Sequence, residues 1–284
     1  MNRSALRNES SFMRTAHLLS AAGVAAALAL TPTVASAERM VGVDTANRLV
    51  SFQSKKPGTV KRRTLTGLAS GETLVGLDRR PANGQLIGLG STSLVYLVNR
   101  TTGAATPIGV GPFEPALNGT SFGFDFNPMV DQIRLTSNFT QNLRLQPDTG
   151  TVAATDGALS YPTGDPNAGK VAAIAGSAYT NSVAMAMSTQ LFDIDVTNDV
   201  LALQEPPNAG GLKTVGPLGQ GDLASPVGFD IAGKTGIAFA SLRQKGRKGT
   251  ALYTINLATG RAVARGRIGS KRTPVTLRAL TVAE

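Results

Sequence analysis

The sequence predicts an all-β protein, a five-bladed β-propeller, and three observations carry that expectation. Gly76, Asp78, Pro81, Gln85, Thr102 and Gly103 recur without a gap, forty-seven residues on, as Gly123, Asp125, Pro128, Gln132, Thr149 and Gly150. Short apolar or alternating runs bounded by Gly, Pro, Asn and Asp fill each period, and no apolar repeat of helical spacing follows the N-terminal leader. The strand count leaves one spare at the C-terminus. Repetition near 50 residues, built of short strands, points to a radial or linear array.

The first 37 residues read as a signal peptide. Arg3, Arg7 and Arg14 precede an apolar run from Leu18 to Leu30, and Ala35-Ser36-Ala37 supplies small residues for cleavage before Glu38. The run is too short to span a bilayer. The leader before it is long, so Met13 competes with Met1 as the start. One propeller domain is expected over residues 38–284, exported to the periplasm or beyond, with no transmembrane segment once the leader is removed.

Five units follow. Met40–Gly67 offers three strands: MVGVD, RLVSFQS and TVKRRTLTG. Thr73–Gly109 offers TLVGLD, QLIGLGS, SLVYLVN and AATPIG, and Thr120–Gly157 offers SFGFDFN, QIRLTS, QNLRLQP and TVAATD. Val171–Pro206 is read as AGSAYTN, VAMAMST, QLFDIDVT and VLALQEP; Pro226–Gly269 as VGFDI, GIAFASL, ALYTINL and RAVARGRIG. The last strand, TLRALTVAE, has no unit of its own. Leu277–Thr281 aligns with Leu74–Asp78, so it should become the innermost strand of the N-terminal unit and close the ring. Closure removes the open sheet edges that invite aggregation. Gly111–Gly119, Gly164–Gly169 and Glu205–Gly221 are expected as connecting inserts on the propeller faces.

Composition narrows the chemistry. There is no cysteine, and the only histidine is His17, inside the leader. Ser-His-Asp and Cys-His catalysis are thereby excluded, as are the usual zinc, copper and haem ligand sets. No cofactor is expected. Charge is uneven: net +5 over Glu38–Arg80, −6 over Pro81–Leu242 and +9 over Arg243–Glu284. Both chain ends should therefore share one basic sector, bringing Lys61, Arg62 and Arg63 beside Arg261, Arg265, Arg267, Lys271 and Arg272.

GETLVG, GFDFNP with VDQIRL, QNLRLQPDTG, DGAL, AYTN, PPNAGGLKTVGPLG and LYTINLATG, in that order, resemble the bacterial family known as domain of unknown function 4394. The likeness runs from about Met40 to Glu284. It implies exported or surface-associated proteins with a propeller-like β fold, and it assigns no activity, substrate or catalytic residue. Asp131-Gln132-Ile133-Arg134-Leu135 stands where the family often has D-R-I-R-V, one basic position fewer.

Two sets of polar residues stand out. Asp44, Asp78, Asp125 and Asp230 each end a Gly-apolar-Asp run, with Thr180 and Thr281 assigned to the matching slots elsewhere. A ring of carboxylates can hold a hard cation. The stronger expectation is that each Asp accepts backbone N–H groups in the turn that follows, with no metal. Asp125, Asn127, Asp131, Arg134, Asn142 and Arg144 form the densest polar group on otherwise apolar strands and are the candidate ligand-binding residues, no catalytic residue being assigned. Arg134 and Arg144 take the places of Ile87 and Leu97 in the preceding unit. They can serve an anionic or sugar ligand, or brace one blade to the next.

The reading that follows is an exported, non-catalytic binding or scaffolding propeller with an anionic envelope polymer or surface as partner. The basic runs lack the interleaved aromatics of single-strand nucleic acid binders, so no nucleic acid is expected. The alternative is a carboxylate-based, metal-assisted hydrolase or lyase acting on a carbohydrate or lactone.

Overall fold

Twenty strands among the described residues form five antiparallel sheets of four, arranged as the blades of a propeller. The structure is a computed structural model and describes residues 37–283. Residues 1–36 of the expected leader lie outside it.

The first blade has the order β20-β1-β2-β3, from β1 (Arg39–Asp44), β2 (Arg48–Gln53), β3 (Lys56–Thr64) and β20 (Leu277–Val282). The second is β4 (Leu74–Arg79), β5 (Leu86–Gly90), β6 (Val95–Val98) and β7 (Ala105–Ile108). The third is β8 (Phe122–Asn127), β9 (Gln132–Ser137), β10 (Asn142–Leu145) and β11 (Val152–Thr155). The fourth is β12 (Ile174–Tyr179), β13 (Leu191–Asp195), β14 (Val200–Gln204) and β15 (Leu212–Pro217). The fifth is β16 (Leu223–Ile231), β17 (Ala238–Gln244), β18 (Ala251–Ile255) and β19 (Ala262–Arg267).

The spare C-terminal strand closes the ring. β20 pairs with β1 in the register Met40↔Val282, Val41↔Thr281 and Gly42↔Leu280. Its other side packs on β16 and β4, so β20, β4, β8, β12 and β16 are the five innermost strands.

Those five strands approach too closely for ordinary side chains. Gly76, Gly123, Gly176 and Gly228 occupy the same position, two before the Asp slot, and Ala279 takes it in β20. A Cβ at Gly76 would lie 2.8 Å from Cβ of Phe124; one at Gly176 would lie 2.9 Å from Cβ of Phe229. At Gly228 it would lie 2.5 Å from Cβ and 2.6 Å from the backbone nitrogen of Leu280. Each glycine thus admits the middle residue of the next blade's Gly-x-Asp run. The recurring Gly is a packing requirement of the centre.

Between blades the seams are apolar. Val41, Val43 and Leu49 of the first blade meet Leu74, Leu77 and Tyr96 of the second. Met40, Val50 and Phe52, on the opposite face of the first blade, meet Phe239 and Leu252 of the fifth. Strand alternation produces this split, because successive residues point to opposite faces and both faces are covered. Each fully buried large apolar side chain contributes about 1.5–3 kcal/mol.

The structure corrects three sequence expectations. VAMAMST is a loop: Met185 and Met187 are 88% and 92% exposed, and the fourth strand of that blade is β15, inside the expected insert 205–221. Val-Ala-Met-Ala-Met alternates small and large residues as a strand would, but it finds no neighbour to pair with. Ala178 fills the Asp slot of β12, because Gly176-Ser177-Ala178 aligns with Gly123-Phe124-Asp125; Thr180 lies past the strand. Asp44, by contrast, ends β1 outside the central ring and takes the turn-acceptor role expected of it. There it accepts the backbone N–H groups of Ala46 and Arg48 and pairs with the Arg48 guanidinium at 2.7 Å.

Because the obstacle at Gly228 is backbone, no rotamer change relieves it. Gly228→Ala should lose about 1–3 kcal/mol of stability or more in urea unfolding. Gly111→Ala, with nothing within 4 Å of the new methyl, should stay within about 0.5 kcal/mol of the parent. Equal stability of the two variants would mean that the inner strands can move apart at little cost.

Candidate functional site

At the C-terminal ends of the innermost strands three carboxylates converge. Oxygens of Asp78, Asp125 and Asp230 lie within 4.8 Å of one another, and all three residues are buried. Each carboxylate reaches across to the next blade. Asp78 accepts the N–H of Phe126 at 2.9 Å, Asp125 that of Tyr179 at 2.9 Å and Asp230 that of Val282. This revises the expectation of a local turn. The acceptors tie inner strand to inner strand, and the turn after β8 is held by Asn127, which accepts from the N–H of Met129 at 3.0 Å.

The Thr281 hydroxyl completes the group, 2.8 Å from Asp78 Oδ1 and 2.9 Å from Asp230 Oδ2. A hydroxyl has one proton, so one of these contacts requires a proton on a carboxyl. Burial, followed by the charge of Asp230, pushes Asp78 up to about 8. Burial, followed by the charge of Asp78, raises Asp125 well above the usual carboxylate range. Three oxygens at this spacing are also the donor type of a hard cation. Calcium takes six to eight oxygens, however, and the space between Asp78, Asp230, Thr281 and Ser182 is about 10 Å³, close to the least that one water needs. Shared protons suit this centre better than a hydrated ion.

The six residues expected to act together are divided among three places. Asp125 belongs to the central group. Asp131, in the turn after β8, lies against Arg80 of the second blade, whose guanidinium also meets Asp148 at 2.5 Å. Those hydrogen bonds hold Asp148 below its ordinary value. Arg134, Asn142 and Arg144 come together at the seam of the third and fourth blades.

Arg134 is 1% exposed, and each of its three nitrogens donates to a protein acceptor. It bonds Tyr179 Oη at 3.3 Å, Asn142 Oδ1 at 2.7 Å, Asp156 Oδ2 at 2.6 Å and Asn208 Oδ1 at 2.7 Å. Arg134 and Arg144 sit directly opposite each other on β9 and β10, and Asp156 accepts from both. The carboxylate offsets a like-charge pair that would otherwise destabilise the strand pairing. Arg80, Asp156, Tyr179 and Asn208 were not singled out in the sequence. Nothing in the sequence marks Asp156 as the partner of two arginines.

Open volume lies elsewhere, on the propeller face reached by the C-terminal ends of the innermost strands. One cleft of about 540 Å³ is lined by Arg79, Gln85, Leu97, Asn99, Arg100 and Thr101, among others. A second, of about 590 Å³, is bounded by Arg39, Ser51, Gln53, Lys56, Lys61 and again Arg100 with Thr101. Both sit at the junction of the first and second blades. Their volumes fall in the range of small-molecule sites, about 300–1,000 Å³.

The sequence profile described as "Domain of unknown function (DUF4394)" matches residues 48–280. The chain belongs to this family. Comparison with curated proteins yields no significant match. Among solved structures, a structural genomics protein of unknown function from Bacteroides thetaiotaomicron VPI-5482 is 12% identical with a TM-score of 0.46, covering 72% of this chain and 53% of its own. An auxiliary nutrient binding protein from the same organism is 14% identical at a TM-score of 0.42, with the same coverage. Myxococcus xanthus glutaminyl cyclase is 11% identical at 0.42, over 73% of this chain and 91% of its own. The chain spans about half the length of the two Bacteroides proteins. No ligand or activity carries over from likenesses this distant.

The central carboxyls imply a pH dependence with a definite sign. Asp78 and Asp125 keep protons in the folded protein that the unfolded chain releases above about pH 4. Their contribution to stability is complete below the unfolded value and falls as pH rises, ending for Asp78 near pH 8. The melting temperature should therefore decline between about pH 5 and 8. Asp125→Asn should flatten that decline, because its amide donates to Asp78 without adding charge. An unchanged slope in Asp125→Asn would place the titration elsewhere.

Proposed function

We propose that this protein is an exported, non-catalytic binding or scaffolding propeller whose partner is an anionic envelope polymer or surface. Export rests on the leader: Arg3, Arg7 and Arg14, the apolar run and the Ala35-Ser36-Ala37 site. No helix among the described residues is long and apolar enough to cross a membrane.

One observation carries the choice of partner. The two basic ends of the chain meet: β3 packs against β19. Arg62 donates to the Thr273 carbonyl at 3.2 Å, and Pro57 lies over Gly266. Arg62 thus shares the seam with Arg265, Arg267, Lys271 and Arg272, while Lys61 and Arg63 point to the other face of the same exposed edge strand, and Arg261, at the far end of β19, lies beside Leu218 of the fourth blade. The acidic stretch of the chain builds most of the second blade, the third and fourth blades and the inner strands of the fifth. Such a separation of charge draws the protein onto an anionic partner basic side first.

A hydrolase needs a pair of carboxylates facing a substrate. The cavity that Asp78 and Asp230 face measures about 10 Å³, which admits no sugar or lactone ring. Asp156 spends its oxygens on Arg134 and Arg144. Both points favour binding over catalysis.

Attraction of this kind fades as salt shortens the screening length to about 8 Å at physiological ionic strength. Binding to an anionic polymer or to vesicles rich in phosphatidylglycerol should weaken several-fold between about 20 and 150 mM salt. Replacing Lys61, Arg62 and Arg63 by Gln should weaken it further. Absence of binding to every anionic surface at low salt would refute this function.

A further inference from the structure

We propose that the joined clefts between the first and second blades are the ligand site proper, and that their ligand is an acidic polysaccharide carrying carboxylates along its chain. This inference rests on the binding reading above and locates it. The basic sector at the β3–β19 seam is a field without a mould; the clefts have shape as well as charge.

The site is assembled by register. On one face of the first blade Arg39 lies opposite Gln53, Val41 opposite Ser51, and Ser51 opposite Lys61. Because paired residues share a face, Arg39, Gln53, Ser51 and Lys61 present one row toward the second blade. Across from them stands the turn between β6 and β7, bearing Arg100 and Thr101, the two residues common to both clefts. Arg79, at the end of β4, lines the far side. The clefts of about 540 and 590 Å³ therefore adjoin as two halves of one trough, with Arg100 and Thr101 lining both.

Its charge is of one sign. Arg39, Lys56, Lys61, Arg79 and Arg100 line the trough, and no Asp or Glu does. Among the described residues none of these five cationic groups makes a side-chain hydrogen bond or ion pair within the protein. Arg80 and Arg134, both buried, are instead engaged by Asp131, Asp148 and Asp156. The contrast separates structural arginines from those left with donors to offer. Arginine's planar fork matches a carboxylate with two parallel hydrogen bonds.

The remaining lining fits sugar. Gln53, Gln85, Asn99, Thr59 and Thr106 supply amides and hydroxyls of the kind that bond ring hydroxyls. The trough offers no aromatic platform for stacking nucleobases, since the Phe52 side chain is buried on the other face against the fifth blade. An elongated trough with charge spaced along it suits a chain of repeating acidic units better than a single compact anion.

The test is calorimetric titration of the protein with a defined galacturonate hexamer, with a neutral galactose hexamer, inorganic polyphosphate and phosphatidylglycerol vesicles as comparisons. The acidic hexamer should bind, the neutral one should not, and Arg100→Ala should weaken the acidic hexamer by about tenfold or more. Arg39→Gln with Lys61→Gln should act in the same direction. Arg265→Gln with Lys271→Gln and Arg272→Gln, at the other seam, should change it less than about threefold. Arg100 is exposed, so an unchanged melting temperature certifies the fold of its variant. If the seam variants abolish binding and Arg100→Ala does not, the trough proposal fails while the anionic-partner reading stands. If polyphosphate or vesicles bind as tightly as the hexamer and depend equally on Arg100, the carbohydrate assignment fails. If no anion binds at low salt, both fall together.

Discussion

Everything in this molecule depends on how closely five strands approach at the centre. Gly76, Gly123, Gly176 and Gly228 leave room for Phe124, Ser177, Phe229 and Leu280 of the following blade. Burial of Phe124, Phe229 and Leu280 is the apolar half of the interlock, while Ser177 bonds Thr136 and Asp193. Asp78, Asp125 and Asp230 provide the polar half, accepting N–H groups from Phe126, Tyr179 and Val282. Inner strands of separate blades lack a ladder of mutual backbone bonds. Side chains that reach across are the available means of satisfying those N–H groups.

A centre this tight has a consequence for function. Little volume remains among the carboxylates, so the sheltered polar groups that would suggest chemistry are spent on holding blades together. The same holds at the seams, where Arg134 and Arg80 are surrounded by acceptors. Cationic groups with donors to spare lie farther out, where the first blade meets its two neighbours. Function in this fold is expected where packing is incomplete.

Most of the architecture was legible in the sequence because its two periods are strong: alternation within strands and near-fifty-residue repetition between blades. The closing strand was legible because Leu280-Thr281 repeats Leu77-Asp78. The fourth blade was misassigned because Ala178 breaks the Gly-x-Asp pattern there, and because Val183–Met187 alternates without a pairing partner. The candidate site was less legible. Arg134 and Arg144 stood out by replacing Ile87 and Leu97, yet their partners Asp156 and Asn208 come from a loop and a neighbouring blade. The trough was invisible, since Arg39, Arg79 and Arg100 belong to different strands and turns, and the topology alone places them together.

The claim that the interlocked inner ring governs stability is tested most directly by native-state hydrogen exchange, strand by strand. A closed ring predicts that amides of β20 exchange through the same global opening as those of β8 and β12, although β20 ends the chain. The outermost strands β7, β11 and β15 should open locally and at lower cost. If β20 exchanges far faster than β8, with an opening free energy like that of a frayed terminus, the ring is not held shut at its centre and the account fails.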